Sequence, residues 1–268
     1  MKPVKILCIG GSDTSGGAGI QADLKAVSAC GAWGMSVITA VTAQNTKGVQ
    51  DVFAVSPEFV GQQIDVIMSD IGADAVKTGM LLNADIVAMV ADKIKQYGIE
   101  NLIVDPVMVA KGGRNLLSAK ARQALVKKLL PLALLITPNI PEAEALARLE
   151  IKSIAAMKKA AKIICETGAQ NVLIKGGHLP MKKEAVDVLY DGSEFFEFYA
   201  PRFNTPHTHG TGCTYASAIA AGIARGENIE DAVYSAKDLI SAAIKNFVQL
   251  GAGHGSVNVL GNLIKSKG

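Results

Sequence analysis

Short apolar segments alternate with amphipathic segments along the whole chain. Most of the apolar segments are continuous, which is typical of strands covered on both faces of a sheet. The pattern therefore predicts a mostly parallel sheet between two layers of helices. The predicted strands are Val4–Ile9, Val37–Val41, Ala75–Lys77, Leu102–Val104, Leu132–Ile136 and Val172–Lys175.

Helices are predicted between these strands, where apolar positions recur three and four residues apart. Polar residues that commonly cap a helix N-terminus precede several of them, and one has proline at its first position. The first predicted helix carries Ile20, Leu24 and Val27 on its apolar face, and later helices are predicted to begin after Ser56, Asn83 and Asn228.

One segment departs from this alternation. Ala185–Tyr190 and Glu194–Phe198 are strand-like runs that flank Asp191-Gly192, a residue pair typical of a hairpin turn. An antiparallel edge on the otherwise parallel sheet is therefore expected. Because no linker or repeat interrupts the pattern, we expect a single α/β domain over residues 1–268.

Composition narrows the possible functions. The 268 residues carry a net charge of +3, and only 5% of them are aromatic, so a nucleic-acid-binding surface is not expected. No apolar stretch is long enough for a signal peptide or a membrane span. The four cysteines form no CxxC pair, which argues against a zinc ribbon or a disulfide framework and favours a cytoplasmic setting.

The first candidate for chemistry is the glycine-rich loop Gly10–Gly19, which follows the first predicted strand. It lacks the Gly-Lys-Ser/Thr ending of a P-loop, and its glycines stand at the wrong offsets for a dinucleotide fingerprint. A flexible turn is one interpretation. The density of glycine with Ser12, Asp13 and Thr14 favours a loop that contacts a ligand, although the loop alone does not identify that ligand.

The most informative stretch is Thr205–Tyr215, which precedes a helix of small residues. Gly210, Thr211, Gly212 and Cys213 are predicted at the helix N-terminus, where free N–H groups and the helix dipole favour an anion. The same field is expected to lower the pKa of the Cys213 thiol. The alternative is a cysteine packed in the core, but the glycines immediately before Cys213 favour the anion site.

Two histidines, His207 and His209, lie in the same stretch at a spacing that could hold a metal. No nearby Cys, Asp or Glu completes a zinc site. We therefore expect these histidines to shape the loop or to line a nucleotide pocket, and metal ligation is the less favoured interpretation.

Charged and polar groups follow three other predicted strands. Asp105 follows Leu102–Val104, Asn139 and Glu142 follow Leu132–Ile136, and Lys175 ends the strand Val172–Lys175. Because ligands of parallel α/β sheets bind at the carboxyl ends of the strands, these residues are expected to meet at one edge. Carboxylates suit a Mg²⁺–triphosphate, and the lysine suits a phosphate. Two of them also have structural alternatives, since Glu142 could interact with the helix dipole from the first turn and Lys175 could be an exposed turn residue.

These motifs, in this order, resemble hydroxymethylpyrimidine/phosphomethylpyrimidine kinases of the ribokinase-like superfamily. The resemblance covers nearly the whole chain and rests on Gly11–Lys25, Val41–Asn45, Lys77–Met80, Asp105–Val109, Thr137–Glu142, Lys175–His178 and His209–Cys213. It implies a three-layer αβα ribokinase-like fold and a homodimer. It also implies ATP- and Mg²⁺-dependent phosphorylation of a small-molecule hydroxymethylpyrimidine, first to the monophosphate and then to the diphosphate, in thiamine biosynthesis.

The resemblance also implies roles for individual residues. The residues expected around the pyrimidine are Gly11, Asp23, Gln44, Met80 and Val107. Those expected on the nucleotide side are Asp105, Asn139, Lys175, Gly176 and Thr211, with Asp105 and Glu142 as the Mg²⁺ ligands. The expected catalytic residues are Lys175, Gly210, Thr211, Gly212 and Cys213, with Cys213 as general base on the substrate hydroxyl.

Three alternatives remain at this point. A pyridoxal or pyridoxine kinase of the same fold is one, although some pyridoxal kinases carry a second cysteine in the flap where this chain has Val109–Arg114 without one. A non-catalytic pyrimidine sensor is another, and the phosphate-binding residues argue against it. A cysteine hydrolase would need an oriented histidine beside Cys213.

Overall fold

A computed structural model of the chain describes residues 3–108, 117–179 and 183–261. The strands in these ranges are β1 Lys5–Gly10, β2 Trp33–Ile38, β3 Ala40–Asn45, β4 Gly48–Ala54, β5 Ala75–Thr78, β6 Leu102–Val104, β7 Leu135–Ile136, β8 Asn171–Ile174, β9 Glu184–Tyr190 and β10 Phe195–Pro201. The helices are α1 Gly19–Ala29, α2 Pro57–Asp70, α3 Ala84–Gln96, α4 Ala119–Ala124, α5 Ile140–Ala147, α6 Ile154–Cys165, α7 Thr211–Ala224 and α8 Ile229–Lys245.

An eight-stranded sheet in the order β10-β9-β8-β7-β6-β5-β1-β2 forms the centre of the molecule. Six neighbouring strands of this sheet are parallel, namely β8, β7, β6, β5, β1 and β2. The β9–β10 hairpin adds two antiparallel strands at one edge. The predicted mostly parallel sheet with an antiparallel edge is therefore confirmed.

Each face of this sheet is covered by helices, because alternate residues of the buried strands enter opposite cores. Leu7 and Ile9 of β1 pack in the core formed with α2, α3, α5 and α6, whereas Ile6 and Cys8 pack in the core formed with α1, α7 and α8. The expected three-layer αβα arrangement is confirmed. No helix in the described ranges is both long and apolar enough to cross a membrane.

The predicted helix N-termini are also observed. Ser56 accepts a hydrogen bond from the N–H of Phe59, and Asn83 accepts one from that of Ile86. Asn228 caps α8 in the same way. These short polar side chains satisfy N–H groups that have no partner within their own helices, so local sequence suffices to place the helix starts.

Two predicted strands differ from the observed ones. The segment Val37–Val41 is divided at Thr39, whose hydroxyl donates to the carbonyl of Met80 at 2.6 Å. The chain then leaves the main sheet, and β3 pairs with β4 as a separate two-stranded sheet. In Leu132–Ile136 the strand is confined to Leu135–Ile136, since a 3₁₀ turn at Leu130–Leu132 precedes it.

Candidate active site

A cavity of about 1010 Å³ opens at the carboxyl ends of the parallel strands. It is bounded by the glycine-rich loop after β1, the β3–β4 hairpin, the loop after β6, the N-terminus of α5, and the N-terminus of α7. All but one of the predicted site residues line it. They are Gly11, Asp23, Gln44, Met80, Asp105, Val107, Asn139, Glu142, Lys175, Gly210, Thr211, Gly212 and Cys213.

The N-terminus of α7 faces this cavity as predicted. Gly210 is the N-cap residue with a φ of +82°, and a side chain there would overlap the carbonyl oxygen of Gly17. Glycine is the residue that meets both conditions. Thr211, Gly212 and Cys213 form the first turn of α7 and are partly exposed, so their N–H groups can serve an anion in the cavity.

Lys175 and Asp105 lie directly against that first turn. A methyl group built on Gly212 would stand 3.2 Å from Lys175 Nζ and 3.4 Å from Asp105 Oδ2. Lys175 Nζ donates to Asp105 Oδ1 at 2.8 Å. Burial would lower the pKa of Lys175, but Asp105 and Glu142 outweigh it and raise that pKa. A positive charge, a carboxylate and a helix N-terminus therefore meet within a few ångströms.

Glu142 and Asn139 form a capping box at the start of α5. Asn139 Oδ1 accepts from the N–H of Glu142 at 3.0 Å, and Glu142 Oε2 accepts from the N–H of Asn139 at 2.9 Å. Burial and the charge of Asp105 raise the pKa of Glu142 to about 7, against the opposing effect of Lys175. Glu142 thus lies in the first turn of α5, as its structural alternative expected, and its carboxyl also lines the cavity.

Gly176, predicted as a nucleotide contact, has a packing role in the structure. Its N–H donates to Asp187 Oδ1 at 2.8 Å, and a side chain would overlap the carbonyl oxygen of Val186. The neighbouring Gly177 lines the cavity, but Gly176 does not. Gly176 is therefore a close-packing position where the end of β8 approaches β9, and its nucleotide contact stays a prediction.

Sequence reasoning missed two charged residues behind that contact. Asp187 Oδ2 accepts from Lys237 Nζ at 2.6 Å, and both side chains are nearly buried. Asp187 lies in the apolar run of β9, and Lys237 lies beside the apolar face of α8. The available signal was a charged residue among regularly spaced apolar residues, because burying a charge is costly unless it is paired.

The environment of Cys213 contradicts the expected thiolate. Burial raises the pKa of Cys213 to about 12, and the charges of Asp23 and Asp105 act in the same direction. Lys77 and the N–H of Gly19 lower it, but by less. The thiol is therefore protonated near neutral pH, because desolvation and neighbouring carboxylates outweigh the helix N-terminus that the sequence argument relied on.

A buried ion pair forms part of the cavity floor. Lys77 Nζ donates to Asp23 Oδ1 at 2.8 Å, Ser217 Oγ donates to the same oxygen at 2.9 Å, and Asp23 and Lys77 are fully buried. Asp23 Oδ2 has no partner in the described part of the chain. Asp23 was predicted at the pyrimidine, but Lys77 was missed. The position of Lys77 inside the buried strand Ala75–Thr78 could have indicated a buried charge with a partner.

The two histidines bind different partners. His207 Nδ1 accepts from the N–H of Gly255 at 2.8 Å, and its ring stacks on Phe247. His209 Nε2 lies 2.8 Å from Asp13 Oδ2. No cluster of three or more possible ligands occurs in the described residues. Through these contacts with Gly255 and Asp13 the two histidines shape the loop, as predicted. The flap Val109–Arg114 lies outside the described residues.

Comparison with known proteins agrees with this geometry. A model of the phosphomethylpyrimidine kinase family matches residues 13–258. Hydroxymethylpyrimidine/phosphomethylpyrimidine kinase of Bacillus subtilis is 49% identical over 258 residues, covering 96% of this chain and 95% of that protein. The thiamine biosynthesis bifunctional protein ThiED of Geobacter sulfurreducens is 50% identical over 253 residues, so this chain spans about half (51%) of that relative.

Solved structures give the same answer for the fold. Pyridoxal kinase of Bacillus subtilis in an ADP complex matches with a TM-score of 0.91 and 41% identity, covering 98% of this chain and 100% of that one. Phosphomethylpyrimidine kinase from Clostridium difficile matches with a TM-score of 0.80 and 44% identity, covering 90% and 99%. The fold, the cleft and the extent of these matches together show that the chain belongs to the phosphomethylpyrimidine kinase family.

Proposed function

We propose that this protein phosphorylates 4-amino-5-hydroxymethyl-2-methylpyrimidine with ATP, first to the monophosphate and then to the diphosphate, in thiamine biosynthesis. The observation that carries the proposal is the position of Lys175 and Asp105 against Gly212 at the N-terminus of α7. That cluster shares one cavity with Gln44, which suits the edge of an aminopyrimidine. The names of the family and of the Bacillus subtilis relative support the same substrate.

The phosphate side of the cavity can stabilise a phosphoryl group in transfer. Lys175 provides a cation, and the first turn of α7 provides N–H donors on a rigid helix. Such preorganised groups stabilise the charge that develops on the equatorial oxygens, and positioning supplies most of the remaining catalysis. Thr211 and Asn139 border the same region and complete the proposed nucleotide side.

Asp105 and Glu142 are the proposed Mg²⁺ ligands. Lys175 occupies Asp105 Oδ1, while Asp105 Oδ2 faces Gly212. Two carboxylates fit Mg²⁺ because this ion usually keeps water and substrate phosphates as its other ligands. Bound there, Mg²⁺ would neutralise charge on the ATP phosphates. The protein residues hold the carboxylates in place through the α5 capping box and through Thr137, whose hydroxyl donates to Asp105 Oδ1 at 3.3 Å.

Cys213 is the proposed general base for the first phosphorylation, but it starts as a thiol. Because its pKa is about 12, the sulfur can accept the proton of the substrate hydroxyl only after the thiol has released its own proton to solvent. The second step needs less help, since a phosphate monoester is already largely ionised near neutrality (second pKa about 6). The two steps therefore depend on Cys213 to different extents.

A pyridoxal kinase is the second candidate function, since a pyridoxal kinase structure matches with a TM-score of 0.91. Purified protein with ATP, Mg²⁺ and either hydroxymethylpyrimidine or pyridoxal separates the two, with products followed by mass spectrometry. We expect monophosphate and then diphosphate from the pyrimidine, and slower turnover of pyridoxal. Faster phosphorylation of pyridoxal, or no diphosphate, would contradict the proposal. Tight pyrimidine binding with no ATP turnover would indicate a sensor.

We also propose a single-domain, cytoplasmic homodimer. Exposed apolar side chains on and near the β3–β4 hairpin support association of two copies, because such patches are uncommon on monomers. Phe53 is 75% exposed and Val41, its partner across the two strands, is 49% exposed. Replacing Phe53 with Glu should lower the mass measured by sedimentation equilibrium to that of a monomer. An unchanged mass would argue against this surface.

A further inference from the structure

Three segments of the site meet at one buried side chain, His209. Its ring contacts the glycine-rich loop through Asp13 and the β3–β4 hairpin through Gln44, and the next residue is the N-cap of α7. His209 is 8% exposed and Asp13 is 2% exposed. Gln44 lies beside both on the cavity wall.

The Asp13 carboxylate determines where the His209 proton lies. It accepts hydrogen bonds from the N–H groups of Ser15, Gly17 and Ala18 at 2.9, 3.2 and 2.8 Å. Burial would raise the pKa of Asp13, but hydrogen bonds from His209 and Ser15 outweigh burial and lower it. An ionised carboxylate can only accept. His209 Nε2 must therefore carry a hydrogen and donate it to Asp13 Oδ2.

This protonated ring nitrogen constrains the amide of Gln44. In the structure Gln44 Nε2 lies 3.3 Å from His209 Nε2, and Gln44 Oε1 lies 3.4 Å from Thr42 Oγ1. An amide nitrogen against His209 would oppose two donors. Thr42 Oγ1 already donates to the carbonyl of Ser12 at 2.8 Å, so it can accept from Gln44. The satisfied arrangement turns this amide over, so that its oxygen lies at His209 and shares the Nε2–H with Asp13 while its nitrogen donates to Thr42.

We propose that His209 is a specificity-determining positioning residue, whose Nε2–H, held by Asp13, fixes the orientation of the Gln44 amide. The proposal rests on the proposed pyrimidine substrate. An aminopyrimidine edge presents an amino donor beside a ring-nitrogen acceptor, whereas the 4-oxo analogue presents an acceptor beside a donor. An amide held in one orientation matches one of these orders and opposes the other. A freely rotating amide matches either.

The test must separate this role from a structural one, because the backbone of His209 is also engaged. Its N–H donates to the carbonyl of Gly255, and its carbonyl accepts from the N–H of Val257. Substitutions of the side chain leave these contacts available. His209→Leu removes the donor, and His209→Gln is the matched control, since a glutamine amide nitrogen can occupy the place of Nε2 and donate to Asp13.

The experiment compares kcat and KM for the 4-amino pyrimidine and its 4-oxo analogue. In His209→Leu we expect the ratio of the two kcat/KM values to fall about tenfold or more, as for a lost polar discrimination, with most of the change in KM. In His209→Gln the ratio should stay within about threefold of the original protein. An unchanged ratio in His209→Leu, or an equal loss in both variants, would overturn the proposal.

A second measurement does not depend on the substrate. The side-chain amide protons of Gln44, assigned by their absence in Gln44→Glu, should shift in the ligand-free NMR spectrum of His209→Leu and remain near their original positions in His209→Gln. Equal spectra for all three proteins would overturn the proposal. If the unaltered protein phosphorylates neither pyrimidine, the substrate assignment fails, and the NMR result still decides whether His209 orients Gln44.

Discussion

Replacing Lys77 with Met tests the electrostatics below the site. The substitution keeps the length of the side chain but removes the ammonium that binds Asp23 at 2.8 Å, in a place where both side chains are fully buried. Asp23 would then be a buried carboxylate that keeps the hydrogen bond from Ser217 but has lost its cation. Removing one partner of a buried pair typically costs about 3–5 kcal/mol, because the remaining charge is left uncompensated.

That cost is large for a domain whose unfolding free energy is typically about 5–15 kcal/mol. Each kcal/mol lowers the melting temperature by roughly 2–4 °C at this chain size, so we expect a decrease of at least about 6 °C. The matched control is Lys93→Met. Lys93 binds Asp65 at a similar distance, 2.6 Å, but the carboxylate side chain is 39% exposed. Loss of such a surface pair should cost less than about 1 kcal/mol.

The pH dependence gives a sharper test. Burial already raises the pKa of folded Asp23 against the opposing effect of Lys77, and loss of Lys77 should raise it further above the unfolded value of about 3.9. A raised folded pKa gives stability at low pH that is lost as the pH rises, so Lys77→Met should be less destabilised at pH 5 than at pH 8. Urea denaturation at both pH values measures this. A deficit no larger than that of Lys93→Met, or one independent of pH, would refute the reasoning.

Three further predictions concern the site itself. Cys213→Ala should slow the first phosphorylation more than the second, as measured by the rates of monophosphate and diphosphate formation, and an equal loss in both would count against the base role. Gly210→Ala should destabilise the protein by at least about 1 kcal/mol and abolish most activity, because the φ of Gly210 is +82° and the methyl would overlap Gly17. The control Gly226→Ala, at a φ of +87° with no atom nearby, should lose some stability but keep its activity. Similar activity losses in both variants would argue against the close approach at Gly210. The pKa of Glu142 is about 7 in the folded protein and about 4.3 in the unfolded chain, so its stabilising effect at low pH is lost between pH 5 and 7. The unfolding free energy of metal-free Glu142→Gln, measured in urea, should therefore depend less on pH over that range than that of the unaltered protein. Parallel profiles for the two proteins would contradict the raised pKa.

Much of the fold could be predicted because it depends on local and periodic information. Continuous apolar runs such as Leu102–Val104 indicated buried parallel strands, and Asn83 marked the start of its helix through its own side-chain cap. The division at Thr39 could not be predicted, since it depends on a hydrogen bond to Met80, forty-one residues away in the chain. Periodicity carries no information about such partners.

The same distinction between local and long-range information holds for the site. The sequence by itself determined that glycines and Cys213 would stand at a helix N-terminus. It also determined that Asp105 and Lys175 would stand at the carboxyl ends of strands, because strand ends and helix starts are local features. Only the tertiary structure decided that Gly176 packs against Val186 and that the thiol pKa of Cys213 is raised. The burial of a group and the charges around it depend on residues from distant parts of the chain, and those residues come together only when the chain folds.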